Sequence, residues 1–265
     1  MQFVILDVGH GFCAYAEADN GGLCVFDCGH KTNPEVRPSV VLPRPRAGWG
    51  KPHIGRFFIT NFDEDHISDL PRLRETYYIE VLHRNKSISP DRLRTLKLEG
   101  GPISPAMEAC LQMMGEYTGG VSNPPDLPGL SWIVYWNNYG ESFTDTNNIS
   151  LVTFLNVGGM TVLIPGDLER PGWLRLLERA SFQTDLRRVS IFIASHHGRE
   201  NGYCREVFDY CSPHIVVFSD SRIQYATQEM TNTYAQHASG MSFDGQRRYV
   251  VTTRNDGTIS FWPTQ

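Results

Sequence analysis

Three runs of strand-forming residues in this chain each stop at side chains that bind cations. Phe57-Phe58-Ile59-Thr60 leads into Asn61, Asp63, Asp65 and His66; Thr161-Val162-Leu163-Ile164 leads through Pro165-Gly166 into Asp167; Val189 to Ala194 leads through Ser195 into His196-His197. Open α/β sheets place their sites outside the carboxyl ends of strands, so these ends are expected on one rim. Carboxylates brought together repel unless a cation neutralises them, which points the set toward a metal centre. Taken singly, each part has an ordinary reading. Asp65 before Ile67 and Leu70 suits a helix N-terminus, and Asp167 suits a cap or a Gly-Asp turn. The histidine pair between Ser195 and Gly198 is harder to assign to structure alone. Together they favour the metal.

The rest of the chain reads as a mixed α/β domain spanning 1–265. Phe3 to Val8 is β-rich and stops at Gly9-His10-Gly11, and Asn20-Gly21-Gly22 turns a hairpin into Leu23-Cys24-Val25-Phe26-Asp27. Residues 31–53 carry five prolines and read as an irregular loop or edge insertion. A second hairpin joins Ile149 to Leu155 with Thr161 to Ile164, ending like the first in an aspartate. Helices near Gly172 to Ala180 and Arg205 to Cys211 alternate with strands, and Tyr249 to Phe261 reads as a closing hairpin. The pattern weakens over 85–146, where one helix at Pro105 to Tyr117 and a Pro/Gly-rich connection suggest a partly helical insertion. Hairpins followed by interleaved strands and helices, in both halves, predict two mixed sheets packed together with helices outside.

Composition excludes several classes. A net charge of −5 and a pI near 6.0 argue against a surface for wrapping long nucleic acid by counterion release. No apolar run approaches the roughly 18 to 20 residues that cross a bilayer, and the start lacks a basic leader, so a cytoplasmic protein without a membrane role is expected. The six cysteines form no CxxC pair. Cys24 and Cys28 fall on one face if the strand continues, and buried thiols fit better than zinc ligands.

In order and spacing, several motifs resemble the metallo-β-lactamase fold, and within it the hydrolase domain of the ComEC/Rec2 competence proteins. They are Asp7-Val8-Gly9-His10-Gly11, Phe26-Asp27-Cys28-Gly29, Thr60 to His66, Asn147 to Leu151, Pro165-Gly166-Asp167-Leu168-Glu169, Ser195-His196-His197-Gly198 and Asp256-Gly257-Thr258-Ile259. The resemblance implies a four-layer αββα sandwich of two mixed β-sheets. It assigns Asp65, His66 and His196 to one metal, Asp167 to a bridge, and Asp63, with Asn61 as a weak ligand, to a second. Asp7 and Asp27 would orient loops and ligands near the site. His197 would orient the site or protonate the leaving group, unless it is itself the ligand.

The chain departs from that branch at Asn61, His10, Phe12, Arg199 and Tyr225-Ala226-Thr227, where a family histidine is lost. An amide carbonyl suits hard ions, so one or two divalent ions are expected, manganese or zinc, with magnesium as a further option. Arg199, Asn147 and His10 are candidate substrate contacts; Arg199 either grips a phosphate or forms a surface pair. The resemblance implies phosphodiester hydrolysis through water activated by metal, with Asp65 and His197 as catalytic candidates. Short nucleic acid or a nucleotide is the expected substrate, and the sequence leaves any protein partner open. Hydrolysis of another ester, or a degenerate module binding a nucleotide or a protein, are the competing readings.

Overall fold

The computed structural model describes residues 1–30, 34–45, 50–221 and 229–263. Twelve strands form two six-stranded mixed sheets. The first runs, edge to edge, Ile259–Phe261, Gln2–Ile5, Ala14–Glu17, Leu23–Phe26, Arg56–Phe58 and Leu82–His83. Its first four strands pair antiparallel and the last two join in parallel. The second runs Val250–Thr252, Ile215–Phe218, Ile191–Ile193, Met160–Ile164, Val152–Val157 and Leu130–Tyr135. Here the parallel strands come first and the antiparallel hairpin last.

Strand alternation explains why both sheets are covered twice. Phe3 and Ile5 point between the sheets, where they meet Val162, Ile164, Ile191, Ile193, Ile215 and Val217. Val4 and Leu6 point outward into a layer holding Leu70, Leu73, Leu93 and Met107. On the other side Leu163, Phe192, Val216 and Phe218 pack against Trp173, Leu176, Phe182 and Tyr234. Strands buried on both faces must be apolar at nearly every position, as these are. The result is the four-layer αββα sandwich expected from the motifs.

The stretch 85–146, expected as an insertion, supplies parts of both layers. Pro90–Leu98 and Pro105–Glu116 begin with the same device, a serine N-cap before proline: Ser89 accepts from the Arg92 amide and Ser104 from the Met107 amide. Both helices pack on the outer face of the first sheet, and Leu130–Tyr135 then crosses to the edge of the second. The earlier helix escapes periodicity because Leu93 is its one buried residue.

Two expectations change. The closing hairpin does not form: Val250–Thr252 joins the second sheet in parallel, while Ile259–Phe261 joins the first, after the short helix Thr253–Asp256. Cys24 and Cys28 lie on opposite faces, because the strand ends at Phe26 and Asp27 adopts φ 55°. All six cysteines are free and buried. Among the described residues, no helix is long and apolar enough to cross a membrane.

Candidate metal centre

The strand ends converge as their sequence suggested, on one rim between the sheets. Asp65, His66, Asp167 and His197 each present a ligand-type atom within 4.8 Å of the others. His66 Nε2 lies 2.9 Å from Asp167 Oδ1, and His197 Nε2 lies 3.2 Å from Asp65 Oδ2 and 3.8 Å from Asp167 Oδ1. Neither Nε2 has a hydrogen-bond partner although both are buried, so two imidazole nitrogens stand close to carboxylates without the alignment of a hydrogen bond.

The far side of each ring is fixed. His66 Nδ1 is 2.7 Å from Asp27 Oδ2, and His197 Nδ1 is 2.8 Å from the Ser219 carbonyl. A carboxylate and a carbonyl both require a proton on Nδ1, which leaves each Nε2 as the atom facing the cluster. Asp27 is itself held by the Thr60 amide at 2.7 Å and by the Thr60 hydroxyl. A divalent cation fits this donor set: two carboxylates and two oriented imidazoles whose Nε2 atoms lack hydrogen-bond partners. Behind them a cavity of about 10 Å³, floored by Phe12, Ile164 and Ile193, leaves room for little more than a water.

Backbone geometry builds the cluster. Asp27, His196 and His197 adopt left-handed φ of 55°, 52° and 55°, an uncommon conformation for residues other than glycine. The Asp65-His66 turn is clamped from both sides: the Phe12 amide donates to the Asp65 carbonyl at 3.0 Å and the Cys28 amide to the His66 carbonyl at 2.8 Å. Gly29 is obligatory in this clamp, since a Cβ there would fall 1.5 Å from the Asp65 carbonyl oxygen.

Electrostatics follow from the crowding. Burial pushes the Asp65 carboxyl up, but the imidazoles of His197, His66 and His10 outweigh it and hold it well below the ordinary range. Asp167 is likewise lowered to about 2, as His66 and His197 overcome its burial. His66 and His197 are raised despite burial, chiefly by Asp167, with Asp27 adding to the first and Asp65 to the second. His196 is lowered, because burial outweighs the pull of Asp167.

Other residues expected at the centre are placed differently. His197 lies within the four-residue cluster, and His196 stands at its edge, with Nδ1 3.6 Å from Glu169 Oε1 and Nε2 3.9 Å from Asp167 Oδ2, both residues on left-handed backbone. Asp63 is drawn away by Lys97 Nζ and by the Thr146 hydroxyl at 2.8 Å. Asn61 donates to Asn147 Oδ1 at 2.9 Å and accepts from the Asp63 amide, so it too stands apart. Asn147 also donates to Glu169 at 3.1 Å. Arg199 reaches His196 Nε2 at 3.4 Å and His10 Nε2 at 3.3 Å, and the His10 ring rests 4.9 Å from that of His197. Asp7 accepts from the Gly9 amide and shapes the loop carrying His10. Tyr225-Ala226-Thr227 lies outside the described residues. Lys97 and Ser219 stand outside the sequence motifs, and Thr60 and Glu169 stand inside them with no role assigned; Ser219 follows a strand end and is accessible to the same rule.

No protein-family model matches the chain, and no curated protein matches it. Among solved structures it is similar to Igni18, a metallo hydrolase from the hyperthermophilic archaeon Ignicoccus hospitalis KIN4/I, at 15% identity over 100% of both chains and a TM-score of 0.50. It is also similar to CmlA, a diiron β-hydroxylase from Streptomyces venezuelae, at 13% identity and a TM-score of 0.54. That match covers 98% of this chain but 54% of CmlA, about half its length. Likeness at this level is one of fold, and with two mixed sheets between helical layers the fold is that of the metallo-β-lactamases.

Proposed function

We propose that the chain is a metal-dependent hydrolase of phosphodiesters, acting on short nucleic acid or a nucleotide. The observation that carries this reading is Arg199. Its guanidinium stands beside the cluster with two imidazole nitrogens as partners and, among the described residues, no carboxylate within ion-pair distance. Arg74, Arg94, Arg170 and Arg205, by contrast, each pair with an acid. A cation left unneutralised at the mouth of a metal site is suited to a phosphate, which it can grip through two parallel hydrogen bonds. Igni18 is a metallo hydrolase and CmlA a diiron hydroxylase on a similar fold, so the fold leaves the chemistry to the site. The ComEC/Rec2-like affiliation rests on motif order alone.

Asp65, His66, Asp167 and His197 would hold the ion. When bound, it supplies Lewis acidity toward a phosphoryl oxygen and makes water a competent nucleophile near neutral pH. Arg199 exchanges its imidazole partners for two substrate oxygens and orients the phosphorus. His196 stays neutral through burial, with Nδ1 toward Glu169 and Nε2 toward Arg199, whose departure to the substrate frees it. That Nε2 can take a proton, and Glu169 then stabilises the imidazolium. Asp27 and the Ser219 carbonyl keep both ligand rings in register throughout.

The Asn61–Asn147 amide pair favours a second reading, a module that binds without turnover. Metal-stripped protein supplied with manganese, magnesium or zinc separates them on a chromogenic phosphodiester, short DNA and a carboxyl ester, with His197→Ala and Arg199→Ala as controls. Phosphodiester cleavage lost in both variants is expected. Turnover of the carboxyl ester alone would refute the substrate class, and metal binding with no turnover would favour the binding module.

A further inference from the structure

We propose that the centre takes one divalent ion and that the Lys97 ammonium stands in for a second. This rests on the metal reading above. The residues assigned to a second position are Asp63 and Asn61, with Asn147 beside them, and each is already engaged in hydrogen bonds or an ion pair. The Asp63 carboxylate is already neutralised by Lys97 Nζ, and the Thr146 hydroxyl donates to the same Oδ1. Lys97 comes from the last turn of Pro90–Leu98, and its Nζ also lies 3.5 Å from Thr146 Oγ1. The Asn61 and Asn147 carbonyl oxygens accept from the Asp63 amide and from Asn61 Nδ2, and Asn147 donates onward to Glu169.

This side of the cleft is therefore a closed hydrogen-bonded chain running from Lys97 to Glu169. It adjoins the cluster through Ser150, whose hydroxyl accepts from the Asp167 amide at 3.2 Å and from Asn61 at 3.3 Å. A dication placed there would meet a fixed ammonium and amide groups already engaged, and like charges repel. The four-membered cluster, by contrast, brings two carboxylates together and has two nitrogens without hydrogen-bond partners. One pole of the cleft is a bound ion, and the other is a covalently attached cation.

The test counts ions, independently of turnover. Chelator-stripped protein is dialysed against excess manganese chloride, and bound manganese is measured by elemental analysis and by its paramagnetic resonance spectrum. One equivalent with an uncoupled spectrum is expected for the wild type and for Asp63→Asn. Lys97→Ala should rise to two equivalents by freeing Asp63, and Lys97→Ala/Asp63→Asn should return to one. Lys97→Gln, which retains most of the stem, gives the same readout if the alanine variant does not fold. Two equivalents in the wild type, falling to one in Asp63→Asn, would overturn the proposal, as would a Lys97 variant that stays at one. No bound manganese in any of them would instead refute the metal reading on which it depends.

Discussion

Replacing Asp27 by Asn changes one charge and almost no volume, yet it reaches the heart of the site. Asp27 Oδ1 accepts from the Thr60 amide, and an asparagine oxygen would do the same. Asp27 Oδ2 faces the Thr60 hydroxyl and His66 Nδ1 at 2.7 Å, and there an NH2 group would replace an acceptor with a donor. The hydroxyl can rotate to accept, but His66 must move its proton to Nε2, the atom aimed at the cluster. Losing a partner of this kind lowers metal affinity about 10- to 100-fold. That is roughly 1.4 to 2.7 kcal/mol of binding free energy. Competition titration with a chromophoric chelator measures the loss, and a thermal melt without metal checks that the fold persists. An Asp27→Asn protein that binds manganese as tightly as the wild type would show that His66 is not oriented through Asp27.

Three further outcomes are expected. Arg199→Ala should lower kcat/KM for a phosphodiester roughly 10- to 150-fold, the equivalent of about 1.5 to 3 kcal/mol of charge-assisted hydrogen bonding, while metal content is unchanged. Gly29→Ala should displace the Asp65-His66 turn, since the added carbon would collide with the Asp65 carbonyl, and both the urea midpoint and metal binding should fall. His83 is pushed down to about 4, first by burial and then by Arg56 and Lys86, while it stacks on Phe58 with ring centroids 4.3 Å apart. Its folded pKa lies below the ordinary 6.5, so the unfolded chain binds the proton first. Stability should be unaffected by this group above pH 6.5, decline as pH falls toward 4, and level off below. His83→Phe should remove that part of the acid slope in equilibrium unfolding, and an unchanged slope would refute the assignment.

Where ligand-type residues follow a strand, the sequence was informative because the cue is contiguous. Asp65, His66 and Asp167 were named from such runs and are found together. The two mixed sheets were legible for a similar reason: alternation and Gly-rich turns fix hairpins within a few residues of chain. Pro90–Leu98 gave too weak a periodicity to be read, because a helix on the periphery buries one leucine.

Tertiary structure alone decided the partners. Whether His196 or His197 turns inward depends on left-handed backbone at both and on a carbonyl from Ser219, just past the end of another strand. Asp63 carries every local mark of a ligand, yet its carboxylate goes to Lys97, 34 residues away on a different helix. Val250–Thr252 and Ile259–Phe261 look like one hairpin but enter different sheets, because each edge accepts the strand whose apolar face completes its layer. Local residue order determined which side chains could serve a metal. The packing of distant elements determined which of them remain free to do so, because a carboxylate or imidazole responds to the nearest charge rather than to its neighbour in sequence.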